Sequence, residues 1–334
     1  MFHINQEEKL QPPRLIPSLV AGFNAVASHV YIIIFPVILD LLLWFGPLVR
    51  IKEFFLPALL QVTELSASAY GEDAGEFIAA SKQLWTDMLS HYNILSGLRT
   101  YPVGVPSLLV SRGGIQNPLG WMQVIELRDA SEVLLLTIGL YILGLLVGCL
   151  YFALTARIIQ REGGKFEIGR FTRQLVQILL LSLLLLVAVL FLGMPLFCLV
   201  TSLLMVLPSL GTIPFFLFGL VMVWVLLPIV FSPHGIFLQD LKTAKAIGAS
   251  VRLARSQMAS IGLFFTVIIL LGNALDALWH TPGDESWMLL VGIFGHAFIS
   301  SGSLAASFIF YKKGMEWLMS KVKDEQLQAS LTAK

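Results

Sequence analysis

Charge is scarce in this chain. Of 334 residues only 13% are Asp, Glu, Lys or Arg, while 57% are hydrophobic. A water-soluble domain of this length has no core able to hide so much apolar surface, so lipid is the implied solvent. Cysteine is scarcer still: Cys149 and Cys198 each lie deep in an apolar run. They follow no metal-ligand spacing, which argues against a disulfide framework or a thiolate site and leaves small packing residues. The net charge of +1 exerts no pull on nucleic acid. Familiar catalytic signatures are missing too. Gly163-Gly-Lys165 lacks the upstream glycine and the following Ser/Thr of a phosphate loop, and there is no His-Glu-x-x-His, Cys-x-x-Cys or Gly-x-Ser-x-Gly. No cofactor and no metal is expected, and nothing positive points to an enzyme.

What is present is a series of charge-free runs. The polar, acidic start (Met1–Arg14) precedes the first of them with no Ala-x-Ala cleavage site, so the first span is expected to be retained as an anchor. A span needs about 20 mostly apolar residues. Span 1 is placed at Ser28–Leu48, after a short helix over Pro17–Ala27 suited to the interface. Span 2 is Val133–Ala156, span 5 Ile261–Trp279 and span 6 Trp287–Tyr311. Between Arg173 and Asp240 lie 66 residues without a charge. As one helix they would be about 100 Å long, against a hydrocarbon core about 30 Å thick. The run must fold back, and Leu207-Pro-Ser-Leu-Gly-Thr-Ile-Pro214 supplies the turn. Span 3 is then Leu175–Leu203 and span 4 Pro214–Phe231. A second break at Gly193-Met194-Pro195 implies either a kinked span 3 or a third span within the run.

Positive charge decides between these. Six spans place sixteen Lys and Arg on one side, including Lys9 and Lys334, and six on the other, including Arg112. Three spans in the uncharged run would separate the basic clusters at 157–173 and 242–255. The expectation is an all-α, polytopic bundle of six spans in the cell (inner or plasma) membrane, with both termini cytoplasmic. Its parts are an N-terminal segment with span 1 (1–49), an extracytoplasmic cap (50–132), a five-span bundle (133–311) and a cytoplasmic tail (312–334). Trp44, Trp279 and Trp287 fall at the outer boundary and Trp317 at the inner one, as aromatic belts do.

The cap has a helical first half, with Phe77, Ile78, Leu84, Trp85, Met88, Leu89, Tyr92 and Leu95 at three-to-four-residue spacing. Its second half, Thr100-Tyr-Pro-Val-Gly-Val-Pro-Ser-Leu-Leu109 and onward to Gly120, is irregular. It reads as a lid resting on the outer ends of the spans, or as a docking surface for another membrane or extracytoplasmic protein. Before span 5, Phe237, Leu241, Ala244, Ile247, Val251, Ala254 and Met258 form one helical stripe, and Lys242, Lys245, Arg252 and Arg255 another. The pattern suits an amphipathic helix on membrane lipid, or a loop helix whose basic residues only set topology.

This second half resembles a group of uncharacterised bacterial multi-pass proteins that includes the membrane domain found beside glycerophosphodiester phosphodiesterases. The resemblance rests on Leu241-Lys-Thr-Ala-Lys-Ala-Ile-Gly-Ala-Ser-Val-Arg-Leu-Ala-Arg255, an Ala-rich amphipathic helix ending in Ser-x-x-Leu (Ser250, Leu253) ahead of a hydrophobic hairpin. It implies topology. The long cap departs from the group's short loops, and no phosphodiesterase barrel is attached, so that activity is not carried over.

Polar groups inside the spans carry the remaining information, since a charge at the bilayer centre costs about 2.5–3.5 kcal/mol on insertion scales. Asp40 in span 1, Asn273, Asp276 and His280 around the end of span 5, and His296 in span 6 lie at similar depth. They are candidates for one polar cluster beneath the cap, a proton relay or a ligand site. The alternative is that the carboxylates are hydrated at headgroup level or cap a neighbouring helix. Small residues crowd span 6 (Gly292 to Ser307), and span 2 carries Gly144-Leu-Leu-Val-Gly148. Close helix packing is their usual role, and a serine-lined substrate path the sharper one. Two functions follow. One is a non-enzymatic scaffold or accessory envelope component that binds through its cap, for which Asp40→Asn and Asp276→Asn are expected to be nearly silent. The other is a permease or lipid-handling transporter with a polar site under the cap.

Overall fold

The computed structural model describes residues 11–67, 74–111, 116–120, 122–163, 165–210, 212–279 and 281–332. Of the described residues 81% are helical. Five helical stretches are long and apolar enough to cross a membrane: Ala130–Gln160, Ile168–Leu203, Ile213–Gln239, Thr243–Trp279 and Leu289–Gln326. The pair Leu15–Ser28 and Val30–Phe45 passes only when taken together across the break at His29, as a broken span or a re-entrant loop, so the spans number five, or six if the pair counts as one. Large apolar side chains such as Phe191 (75% exposed), Phe216 (72%) and Trp224 (70%) point away from the protein. Water would not tolerate that surface, and lipid does. The fold class is that of multi-pass α-helical membrane proteins.

The chain forms two compact units, one of residues 1–29, 152–271 and 302–334, the other of 30–151 and 272–301. The helices α5 (Ala130–Gln160), α10 (Thr243–Trp279) and α11 (Leu289–Thr332) contribute to both.

In the first unit the uncharged run is a hairpin. α6 (Ile168–Ala188) passes through a π turn, Val189–Gly193, into α7 (Met194–Val206), so the break before Pro195 bends one span and does not make a third. Pro195 lacks an N–H and its ring crowds the carbonyl one turn back, and the wider turn absorbs both. The chain reverses through a 3₁₀ turn at Pro208–Leu210 and returns as α8 (Ile213–Leu226) and α9 (Ser232–Gln239). The two ends of the hairpin meet. Arg170 pairs with Asp240 at 2.9 Å, Gln174 Nε2 donates to Asp240 Oδ1 at 2.8 Å, and Thr243 N donates to Gln177 Oε1 at 2.8 Å. Both ends therefore lie on one side of the bundle. α1 (Leu15–Ser28) buries Ser18, Gly22 and Val26, and a Cβ at Gly22 would sit 2.4 Å from the Ala306 backbone.

The expected tail beyond Tyr311 is a continuation of α11, because no proline interrupts Leu289–Thr332, and Met315 is buried while Gly314 abuts Leu253. Along α10, Ala246, Ala249, Ser250, Leu253, Ala254 and Gln257 are buried, Ile247 and Val251 are half-buried and Ala244 is exposed.

In the second unit α2 (Ile34–Phe45) ends at Gly46-Pro47, three residues before the expected end of span 1, and Leu48 already belongs to a strand. That strand, β1 (Leu48–Arg50), pairs in parallel with β2 (Val124–Glu126), with Leu48 opposite Val124. The pair closes the 50–132 segment at its base, with Arg50 ion-paired to Glu126. Between them stand α3 (Lys52–Ala67) and α4 (Ala74–His91), packed as a hairpin. Residues 98–109 do not rest on helix ends as a lid. Leu98, Val103 and Gly104 lie against Gly144 and Gly148 of α5, and a Cβ at Gly144 would fall 2.4 Å from the Leu98 carbonyl. Gly148 is sixteenth in the uncharged stretch 133–156, so this backbone runs beside the middle of a span. Such a re-entrant course is tolerated only inside protein, and Val103, Val105, Leu108 and Leu109 are at most 2% exposed.

Candidate functional site

The geometry of the site begins with the re-entrant segment. Pro102, Gly104 and Pro106 prevent regular helix there, leaving backbone donors that need partners away from water. Asp40, fully buried on α2, supplies them. Ser107 Oγ donates to Asp40 Oδ1 at 2.5 Å, Leu108 N to Oδ2 at 3.1 Å and Leu109 N to Oδ1 at 3.2 Å. Ser107 Oγ in turn accepts from Val110 N at 3.2 Å. The carboxylate thus caps the 3₁₀ turn Leu109–Ser111, whose N-terminal N–H groups have no internal partner. Capping, one of the two sequence-level alternatives to a ligand role, accounts for both oxygens of Asp40.

The second part is a dyad. His296 Nδ1 lies 2.7 Å from Asp276 Oδ1, with side chains 13% and 32% exposed. Nε2 of His296 is buried and, among the described residues, has no hydrogen-bond partner. Of the five candidates, Asp276 and His296 are thus joined. Asn273 is exposed on α10 and takes no place in this arrangement. His280 lies outside the described residues, as do Lys9, Arg112 and Lys334. The tryptophans agree on depth: Trp44 donates to the Asp284 carbonyl at 3.0 Å, and its ring stands 6.0 Å from that of Trp287.

The basic residues Lys242, Lys245, Arg252 and Arg255 are all exposed. The Ser-x-x-Leu residues face inward instead. Ser250 accepts from Phe231 N at 3.1 Å and donates to the Pro228 carbonyl at 2.6 Å, satisfying backbone groups released by the Pro228 break. Leu253 is fully buried.

Several contacts were not visible in the sequence. His234 sits between Phe231, Phe308 and Tyr311, with Nε2 2.7 Å from Ser307 Oγ. Tyr151 donates to Ser301 Oγ at 2.9 Å. The serines of α11 are thereby occupied in packing: Ser300 donates to the His296 carbonyl and Ser307 to that of Leu304. The one available signal was small and hydroxylic residues recurring along α11, which identifies a packed face but no partner. Among the described residues, no group of three or more His, Cys, Asp or Glu side chains is placed to hold a metal ion. Comparison with protein-family models, with curated proteins and with solved structures gives no match for this chain.

Proposed function

We propose that this multi-pass membrane protein acts by binding: a scaffold or accessory component of a cell envelope, with both termini cytoplasmic and residues 50–132 on the opposite side. The observation that carries this reading is the division of labour within that segment. Its second half is pinned into the bundle by Asp40 and by Gly144 and Gly148, while the α3–α4 hairpin presents Val62 (59% exposed), Leu65 (72%), Leu84 (61%) and Met88 (51%). Large apolar side chains exposed on this pair of helices suit the extracytoplasmic part of another membrane protein.

The test is mild crosslinking in intact cells followed by solubilisation and purification of the full chain. A defined partner is expected to travel with the parent protein and to be lost from the double variant Leu65→Glu, Leu84→Glu, which is expected to remain monodisperse. Recovery of the parent alone would count against the reading. One observation favours the second function, a permease or lipid-handling protein: the buried Nε2 of His296, unpartnered among the described residues, beside Asp276. In that case His296→Ala abolishes movement of a labelled solute or lipid in reconstituted vesicles and leaves partner capture unchanged.

A further inference from the structure

A groove of about 290 Å³ opens where the two ends of the uncharged hairpin meet, lined by Thr172, Arg173, Gln174 and Gln177 of α6 and by Asp240 and Lys242 after α9. Val176, Ile236 and Leu241 complete its wall. Of its charged groups, Asp240 is already engaged by Arg170 and by the Gln174 amide. Arg170 also holds Glu162 at 2.9 Å. Arg173 and Lys242 are both exposed, and among the described residues neither forms an ion pair. Set against Glu162 and Asp240, the three cations leave one positive charge in excess, concentrated where Arg173 and Lys242 reach the groove.

Position adds the second half of the argument. Arg173 and Asp240 are the last charges before 66 uncharged residues, so the groove stands at the level where hydrocarbon gives way to headgroups. Just beyond it, Val176, Leu179, Leu180 and Leu183 of α6 are exposed, each by about half. A ligand for this place has an anionic head and an apolar body. Basic pockets at the ends of spanning helices recognise lipid phosphates in this way. We propose that the groove is a binding site for the phosphate headgroup of an anionic membrane lipid, held by Arg173 and Lys242, with its acyl chains along the exposed side of α6. It uses none of the residues of the binding reading above and stands or falls separately from it.

The experiment is native mass spectrometry of the full-length protein in detergent, titrated with phosphatidylglycerol or with phosphatidylcholine. The parent is expected to retain the anionic lipid selectively. Each basic residue near an anionic surface contributes about fivefold, so Arg173→Gln with Lys242→Gln should lower the preference about thirtyfold. Exchanging the two cations, Arg173→Lys with Lys242→Arg, should keep most of it. Lys245→Gln with Arg252→Gln, on the same basic face but outside the groove, should leave it unchanged. Equal loss in both neutralised pairs would reduce the effect to diffuse surface charge and overturn the site. Retention by Arg173→Gln, Lys242→Gln would overturn it as well. Displacement of the lipid by millimolar inorganic phosphate would assign the groove to free phosphate and overturn the lipid assignment.

Discussion

Asp40 lies in a stretch with no other charge between Arg14 and Arg50; it is buried, and among the described residues no Arg or Lys is paired with it. Its two oxygens are held by one hydroxyl and two backbone N–H groups of a segment 67 to 69 residues away. Asparagine at this position would keep one oxygen and turn its amide toward a donor. A buried donor left without its acceptor costs about 1–3 kcal/mol. Asp40→Asn is therefore expected to cost about 1–3 kcal/mol, and not to be silent as a hydrated carboxylate would be. The check is thermal unfolding in detergent together with hydrogen exchange at residues 98–111. A variant as stable and as protected as the parent would remove the clasp. Asp276→Asn, by contrast, retains a polar partner for His296 at a position 32% exposed, and a small effect is expected. Sequence reasoning could rank Asp40 as costly, but it could not choose between capping and ligand binding. That choice depends on where Ser107 comes to lie.

At the scale of elements, small residues matter more than apolar ones. The glycines of α5 separated by three residues are a usual sign of helix–helix contact, yet here they admit irregular backbone: a Cβ at Gly148 would lie 2.9 Å from both Gly104 Cα and the Val103 carbonyl. Gly148→Leu is expected to destabilise by about 1–3 kcal/mol through overpacking and to expose residues 98–105 to exchange. Gly139→Leu, about two and a half turns before Gly148 on the same helix and in open space, is expected to be neutral, and thermal scans of the two variants separate packing from a general effect of side-chain size. On α10 the face packed against protein is likewise marked by small residues, Ala246, Ala249, Ser250 and Ala254, while Lys245, Arg252 and Arg255 are exposed. Interruptions were more legible: Pro195 and the Leu207–Pro214 turn are covalent facts, and the backbone responded at both.

For the whole molecule, the hairpin fixes the relation of the basic clusters. Because Gln174 touches Asp240 and Gln177 touches Thr243, Lys165 and Lys242 lie toward one face of the bundle. Membrane-impermeant labelling of lysine (single-lysine versions at 165 and 242) in intact and opened cells is expected to give the same accessibility at both. Labels at opposite faces would unseat the two-span hairpin. The proposed orientation, with that face cytoplasmic on the positive-inside count, is read directly by the same experiment.

The sequence by itself determined the solvent of this protein, its class as a multi-pass helical protein and the points at which its long uncharged run breaks. Those follow from one-dimensional quantities: run length against bilayer thickness, proline against hydrogen bonding, charge against the cost of insertion. Tertiary structure decided what the buried polar groups do. Asp40 became a cap and the α5 glycines a seat for a re-entrant strand of chain, while Asp276 met His296 and Arg173 came to share a groove with Lys242. Each of these joins residues 20 to 70 or so positions apart whose local sequence carries no mark of the other, so only the folded chain could bring them together.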